Sequence, residues 1–204
     1  AKWRKVENNG GSSGNAGSGS RRSANVDLLG VTVAGNVVTA KVAVDSSGRA
    51  AAILTQGQII EAINNALAVN GAEAVVEIRI EAPASMKAVD VSLSQAAMEA
   101  AAGSNMRTLV LTTPIGTLSF DAKALSSIAQ QTVSEVTFSI SRVDTETLSE
   151  AMRKLIGDRP IYEFSITSGG KPISQFDGEV RVSVPYNPTE EELEDPEHIT
   201  IWYV

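Results

Sequence analysis

The cysteine and histidine content restricts the chemistry available to this chain of 204 residues, which contains no cysteine and one histidine, His198. Without cysteine, a thiol nucleophile, a disulfide and a thiolate-ligated metal site are all excluded. One imidazole cannot form a multi-histidine metal site, and His198 follows acidic residues, where a solvated side chain is the ordinary role. We therefore expect no catalytic residue and no resident cofactor, and we predict that the chain is not an enzyme.

The densest group of carboxylates lies between residues 190 and 197 and contains five glutamates and one aspartate. Such a run is usually a solvated surface. A calcium site is the alternative, because Ca²⁺ prefers several oxygen ligands, although no EF-hand spacing is present. The candidate ligands are Asp45, in a turn-like Asp-Ser-Ser-Gly segment, together with Glu194, Asp195 and Glu197.

Aromatic side chains provide a second candidate site, because an exposed ring can stack on the apolar face of a sugar. The candidates are Trp202, Tyr186 and Tyr162. Aromatic residues make up only 4% of the chain, which argues against a rich sugar-binding face. Carbohydrate binding is therefore the alternative function and not the main prediction.

The charged residues divide the chain into a basic N-terminal segment, residues 1–25, and an acidic body. Five Lys and Arg residues against Glu7 give residues 1–25 a charge of +4, and the remainder carries −11. Nucleic-acid binding needs clustered cations on the folded body, so we expect no nucleic-acid partner. No apolar run approaches the roughly 20 residues of a membrane span, and we expect no membrane insertion.

The elements that must position these residues are mostly strands. Residues 1–27 are predicted to be a flexible linker, because residues 8–20 contain only Gly, Ser, Asn and Ala. Beyond them, apolar and polar residues alternate in many short segments, for example at Val76, Ile78 and Ile80. This period of two predicts half-buried antiparallel strands.

Four helix starts share one pattern, in which a strand ends on an apolar residue, a capping residue follows, and a second apolar residue stands four positions after the cap. The predicted caps are Thr55, Ser94, Asp121 and Asp144. Segments 91–98 and 118–125 also resemble each other at an offset of 27 residues, which indicates an internal repeat of strand, cap and helix.

These elements predict an α+β, strand-dominated fold of antiparallel, sandwich-like β units with short capped helices. The predicted domains are a β-rich unit with short helices at 28–144, a connecting helix at 145–157 and a second, smaller β unit at 158–204. Whether the second unit is complete stays open, and an incomplete unit would leave an exposed strand edge.

Residues 91–98 read Val-Ser-Leu-Ser-Gln-Ala-Ala-Met, and residues 111–125 read Leu-Thr-Thr-Pro-Ile-Gly-Thr-Leu-Ser-Phe-Asp-Ala-Lys-Ala-Leu. Residues 180–186 read Val-Arg-Val-Ser-Val-Pro-Tyr, and an acidic loop and a Trp-Tyr segment follow. Together these segments resemble a β-rich module that precedes S-layer-homology repeats in large surface proteins of Gram-positive bacteria. This sequence itself contains no such repeat.

The resemblance implies an extracellular module at the cell surface or cell wall. It implies a non-enzymatic spacer or stalk function, with neighbouring modules of the same S-layer-associated protein as partners and cell-wall or other polysaccharide as a further partner. The alternative is a carbohydrate-binding module of a surface polysaccharide-degrading enzyme. No catalytic residue is carried over from the resemblance.

Overall fold

The computed structural model describes residues 28–157 and 159–195, which form eleven strands and five α-helices. The strands are β1 (Leu28–Ala34), β2 (Val37–Val42), β3 (Arg49–Leu54), β4 (Val75–Glu81), β5 (Ala88–Leu93), β6 (Thr108–Thr113), β7 (Gly116–Asp121), β8 (Val136–Val143), β9 (Ile161–Ser168), β10 (Lys171–Pro172) and β11 (Val180–Ser183). The α-helices are α1 (Gln56–Asn70), α2 (Gln95–Gly103), α3 (Ala122–Gln130), α4 (Glu150–Ile156) and α5 (Glu190–Glu194), and 3-10 turns lie at Gly71–Glu73 and Thr145–Thr147. Strands dominate this part of the chain, which confirms the predicted α+β, strand-rich class.

The strands form two sheets. Sheet A has the order β1-β2-β4-β6-β7-β11, and sheet B has the order β10-β9-β8-β5-β3. Both sheets are mixed, because β2 is parallel to β4, β4 to β6 and β3 to β5. These three pairs differ from the predicted antiparallel arrangement. Parallel neighbours need long crossover connections, and in this chain each crossover consists of a helix and a strand of the opposite sheet.

Three helices carry the chain from one sheet to the other. α1 runs from β3 in sheet B to β4 in sheet A, α2 runs from β5 to β6 in the same direction, and α3 returns from β7 to β8. α2 contacts both α1 and α3, so the three helices lie together at one end of the sheets, which we call the helix end. The strand directions place the links β2–β3, β4–β5, β6–β7 and β8–β9, and the end of β11, at the opposite end, which we call the loop end.

One apolar core joins the inner faces of both sheets with the buried faces of α1, α2 and α3. Alternate residues of the central strands are buried in it, as at Val76, Ile78 and Ile80 of β4. The rings of Phe120 in β7 and Phe138 in β8 meet edge to face between the two sheets, with centroids 5.1 Å apart. The packing of the two sheets therefore depends on side chains that the period-two pattern places inward.

The predicted helix caps are confirmed for α1, α2 and α3. The side chains of Thr55, Ser94 and Asp121 each accept a hydrogen bond from the backbone N–H three residues later. The fourth start differs, because Asp144 caps the 3-10 turn at Thr145–Thr147 and α4 begins only after Ser149. Asp144 and Ser149, five positions apart, are both capping residues, so this segment forms a 3-10 turn followed by a separate short helix.

The two segments of the predicted repeat adopt the same local structure. Segment 91–98 forms the end of β5 and the start of α2, and segment 118–125 forms the end of β7 and the start of α3. They belong to different sheets, since β5 lies in sheet B and β7 in sheet A. The repeat is therefore a local strand–cap–helix unit. One copy leads from sheet B to sheet A through α2, and the other leads from sheet A to sheet B through α3.

The described strands beyond residue 158 join the same two sheets. β9 pairs with β8 along its whole length, β10 pairs with β9, and β11 pairs with β7 in sheet A. Ile173 is buried in the shared core. The helical segment between β8 and β9 connects neighbouring antiparallel strands, with Val143 opposite Ile161, so the boundary predicted at 145–157 does not divide the sheets.

The segment 175–179, which we call the strap, lies against α3 and leads into β11. Asp121 accepts hydrogen bonds at both carboxylate oxygens, from the N–H of Ala124 at 2.7 Å and from the N–H of Glu179 at 3.0 Å. Two further hydrogen bonds join the strap to α3 and its C-cap residue, from the N–H of Asp177 to Ser127 Oγ and from the amide of the C-cap Gln131 to the carbonyl of Gln175. The carboxylate that caps α3 therefore also fixes the strap.

Replacing Asp121 by alanine should lower the free energy of unfolding by about 2 kcal/mol, because a helix cap and the bond to the strap are both lost. The matched control is Ser94→Ala, which removes only the cap of α2. This variant should lower the free energy of unfolding by about 1 kcal/mol. Urea unfolding followed by circular dichroism measures both losses. Equal losses in the two variants would contradict the double role of Asp121.

Candidate functional site

A cleft of about 470 Å³ opens at the loop end. It is formed by the end of β8 and the turn after it, the start of β9 and the segment that follows β11. Its polar lining consists of Arg142, Asp144, Thr145, Arg159 and Asn187. Because β8 and β9 belong to sheet B and β11 belongs to sheet A, the cleft forms only when the two sheets pack together.

Arg142 is held against an aromatic ring. Its partner across the β8–β9 ladder is Tyr162, and the guanidinium carbon lies 5.6 Å from the centroid of that ring. Arg142 Nη2 also donates a hydrogen bond of 3.2 Å to the Tyr162 hydroxyl, which in turn donates to the carbonyl of Pro185 at 2.9 Å. The cation is therefore oriented by a ring and a hydroxyl, and the same tyrosine ties the segment after β11 to sheet B.

Arg159 is the second cation of the cleft, and its contacts are looser. Its Nη2 lies 3.6 Å from Glu192 Oε1 in α5, and its Nη1 donates to the carbonyl of Ile156 at 3.4 Å. Glu192 itself is held tightly, because its Oε2 accepts hydrogen bonds from the Tyr186 hydroxyl at 2.6 Å and from the N–H of Thr189 at 2.9 Å. Glu192 thus anchors the loop that borders the cleft.

The Tyr186–Glu192 hydrogen bond shifts both pKa values. The bond to Tyr186 and the N–H of Thr189 lower the pKa of Glu192, because both donors favour the carboxylate. The same bond, with partial desolvation, raises the pKa of Tyr186, because the neutral phenol is the donor. The stability that this pair contributes is lost as pH falls through the lowered pKa of Glu192. It is also lost as pH rises through the raised pKa of Tyr186.

We expect Glu192→Gln to lower the pKa of Tyr186 toward the ordinary tyrosine value, because the negative acceptor becomes neutral. The measurement is phenolate absorbance against pH, with the Tyr186→Phe variant subtracted so that the remaining signal belongs to Tyr186. An unchanged titration in Glu192→Gln would show that the hydrogen bond does not form in solution.

Two of the three predicted sugar-stacking residues lie beside the cleft. Tyr162 stacks on Phe164, with centroids 6.4 Å apart and planes 22° apart, and also contacts Arg142. Tyr186 is half-buried and its hydroxyl is bonded to Glu192. Trp202 lies outside the described residues. The two tyrosines therefore take part in the packing around the cleft.

The predicted calcium ligands lie in separate settings. Asp45 Oδ1 accepts hydrogen bonds from the N–H and hydroxyl of Ser47 and from the N–H of Arg49, which lower the pKa of Asp45 and close the turn between β2 and β3. Glu194 ends α5, and Asp195 follows it as the exposed C-cap residue. Glu197 and His198 lie outside the described residues. Among the residues described, no three acidic or histidine side chains are grouped to hold a metal ion.

No protein-family model, curated protein or solved structure matches this chain. In the parts of the chain that the structure describes, no helix has the length and apolar character needed to cross a membrane.

Tyr162 and Tyr186 were predicted from the sequence as candidate site residues, whereas Arg142 and Arg159 were not. Neither arginine belongs to a motif, and 17 positions separate them along the chain. The strand pairing would have been needed to find them, because the insertion between β8 and β9 brings both to the loop end. Nothing in the sequence marks them beyond their positive charge within a body of charge −11.

Proposed function

We propose that this chain is a non-enzymatic structural or interaction module of a bacterial cell-surface protein, of the kind found beside S-layer-homology repeats. The observation that carries the proposal is that the segments with the resemblance build the frame of the fold. Segment 91–98 forms the end of β5 and starts α2. Segment 111–125 forms the end of β6 and all of β7 and starts α3, and segment 180–186 forms β11 and the residues that follow. Their inward side chains lie in the shared core.

The edge strands indicate how such a module connects to its neighbours. β1 begins and β11 ends at the loop end, on opposite edges of sheet A. Five strand spacings separate them, or about 24 Å. The described chain therefore enters sheet A at one edge and leaves it at the other edge, both at the loop end, before it continues to α5.

The location is tested on intact cells of the bacterium that encodes the chain. An antibody against the purified chain should label intact cells as strongly as lysed cells, with an antibody against a cytoplasmic enzyme as the control that labels lysed cells alone. Labelling that requires lysis would contradict a surface location. Release of reducing sugar from any polysaccharide, abolished by one Asp or Glu substitution, would contradict the non-enzymatic function.

Carbohydrate binding is the second candidate, favoured by the position of Tyr162 and Tyr186 beside one cleft. The hydroxyl of Tyr162 bonds to the carbonyl of Pro185, which immediately precedes Tyr186. Affinity electrophoresis in gels that contain cell-wall or plant polysaccharides tests it. Retardation that is lost in Tyr186→Ala would favour carbohydrate binding. Unretarded migration in every gel would contradict it and leave the structural module as the one candidate.

A further inference from the structure

The cleft at the loop end is lined by two cations and one carboxylate, Asp144. The chain beyond residue 25 carries a charge of −11, yet two arginines line this one cleft. Arg142 forms no ion pair with any residue that the structure describes. From this arrangement we propose that the cleft binds a small ligand that carries an oxyanion, a carboxylate or a phosphate, between Arg142 and Arg159.

Arg142 has unused donors in a fixed position. A guanidinium offers five N–H donors in a planar fork that matches the oxygens of carboxylate and phosphate. The Tyr162 hydroxyl uses one of them, at Nη2, while the ring supports the planar face. A preoriented cation loses less side-chain entropy when a ligand binds than one that must first be ordered.

Arg159 can be recruited at little energetic cost. Its two contacts, at 3.6 Å to Glu192 and 3.4 Å to the carbonyl of Ile156, are longer than a strong charge-assisted hydrogen bond. Glu192 keeps its bonds to Tyr186 and Thr189 when Arg159 turns toward a ligand. The second cation can therefore close on an anion without leaving a carboxylate unpaired.

The remaining lining fits a ligand with polar groups besides the anion. Asn187 and Thr145 supply an amide and a hydroxyl. Asp144 also lines the cleft, but its Oδ1 accepts the N–H of Glu146 at 3.0 Å and so serves the cap of the turn. The volume of about 470 Å³ lies within the usual range of small-molecule sites, roughly 300–1,000 Å³.

The test is isothermal titration of the purified chain with inorganic phosphate, glucuronate and glucose. We expect saturable binding of phosphate, glucuronate or both, and none of glucose. Binding of phosphate alone points to phosphate esters, binding of glucuronate alone points to acidic sugars, and either supports the proposal. Absence of saturable binding by both anions, or equal binding of glucose, would overturn it.

Variants assign the binding to the two cations. Arg142→Gln and Arg159→Gln should each weaken binding roughly ten- to hundredfold, as loss of a charge-assisted contact does. Arg181→Gln is the matched control, because Arg181 is an exposed arginine of β11 outside the cleft lining, and it should leave affinity unchanged. A similar loss in Arg181→Gln would show that net charge alone attracts the anion.

Tyr162→Phe tests the positioning of Arg142. It keeps the ring but removes the hydroxyl, so affinity should fall several-fold while the thermal unfolding midpoint shows whether the fold is intact. Unchanged affinity in Tyr162→Phe would mean that the ligand does not use the oriented Arg142. The binding proposal does not depend on a surface location, so its failure and that of the proposed function are distinguishable.

Discussion

Gly178→Ala should destabilise the protein by about 3 kcal/mol or more, one of the largest effects of any single methyl group in this chain. A Cβ at this position would lie 2.3 Å from the backbone nitrogen of Ala124 and 2.5 Å from Asp121 Oδ1. The backbone of Gly178 also has a φ of +97°, which side-chain-bearing residues rarely adopt. Clash and strain therefore act together at the same residue.

The strap cannot move away from the added methyl group without losing its own bonds. The N–H groups of Asp177 and Glu179, on either side of Gly178, donate to Ser127 and Asp121 of the α3 region. Glu179 then leads directly into β11, whose pairing with β7 begins at Val180. Relief of the clash would have to break the cap of α3 or shift an edge strand, and either change is costly.

Two glycine variants separate the contributions, with urea unfolding as the measurement. Gly170→Ala introduces strain at a φ of +77° in open space and should cost about 1 kcal/mol. Gly57→Ala, in the first turn of α1 with no neighbouring atom within 4 Å, should stabilise by about 0.5 kcal/mol. A loss in Gly178→Ala no greater than in Gly170→Ala would show that the strap does not pack closely on α3 in solution.

The local elements of this fold were predictable because each depends on short-range chemistry. Strands follow from alternation, and three helix starts follow from caps at Thr55, Ser94 and Asp121, whose bonds span only three residues. The strand partners were not predictable, because the same period-two pattern occurs in strands of both sheets, for example in β4 and β8. The parallel pairing of β3 with β5 follows from the crossover through α1 and β4, which the residues of β3 alone do not specify.

The predicted division of the chain at 145–157 shows a related limit. A helical segment between two strands has the same local pattern whether it separates two domains or interrupts a hairpin. The pairing of Val143 with Ile161 makes it an insertion between neighbouring strands. That pairing also brings Arg142 and Tyr162 together. The arginines of the cleft were therefore not predicted, because the pairing of β8 with β9 was not predicted.

Phe120→Ala should lower the free energy of unfolding by about 3–5 kcal/mol, because it leaves a cavity between the two sheets. Phe120 is 1% exposed, and its ring meets that of Phe138 edge to face. No helix or turn at this position can collapse into the space, because both residues lie in strands paired on either side. The loss is therefore expected near the upper end of the range for large-to-small substitutions.

A double-mutant cycle isolates the contact between the sheets. Phe120→Leu, Phe138→Leu and the double variant should give a coupling energy of about 0.5–1.5 kcal/mol, as aromatic pairs do beyond their burial. Val69→Ala, at a position 81% exposed on α1, should change stability by less than about 0.5 kcal/mol. A coupling energy of zero would mean that the two rings do not touch, and that the sheets are joined by the aliphatic core and the helices instead.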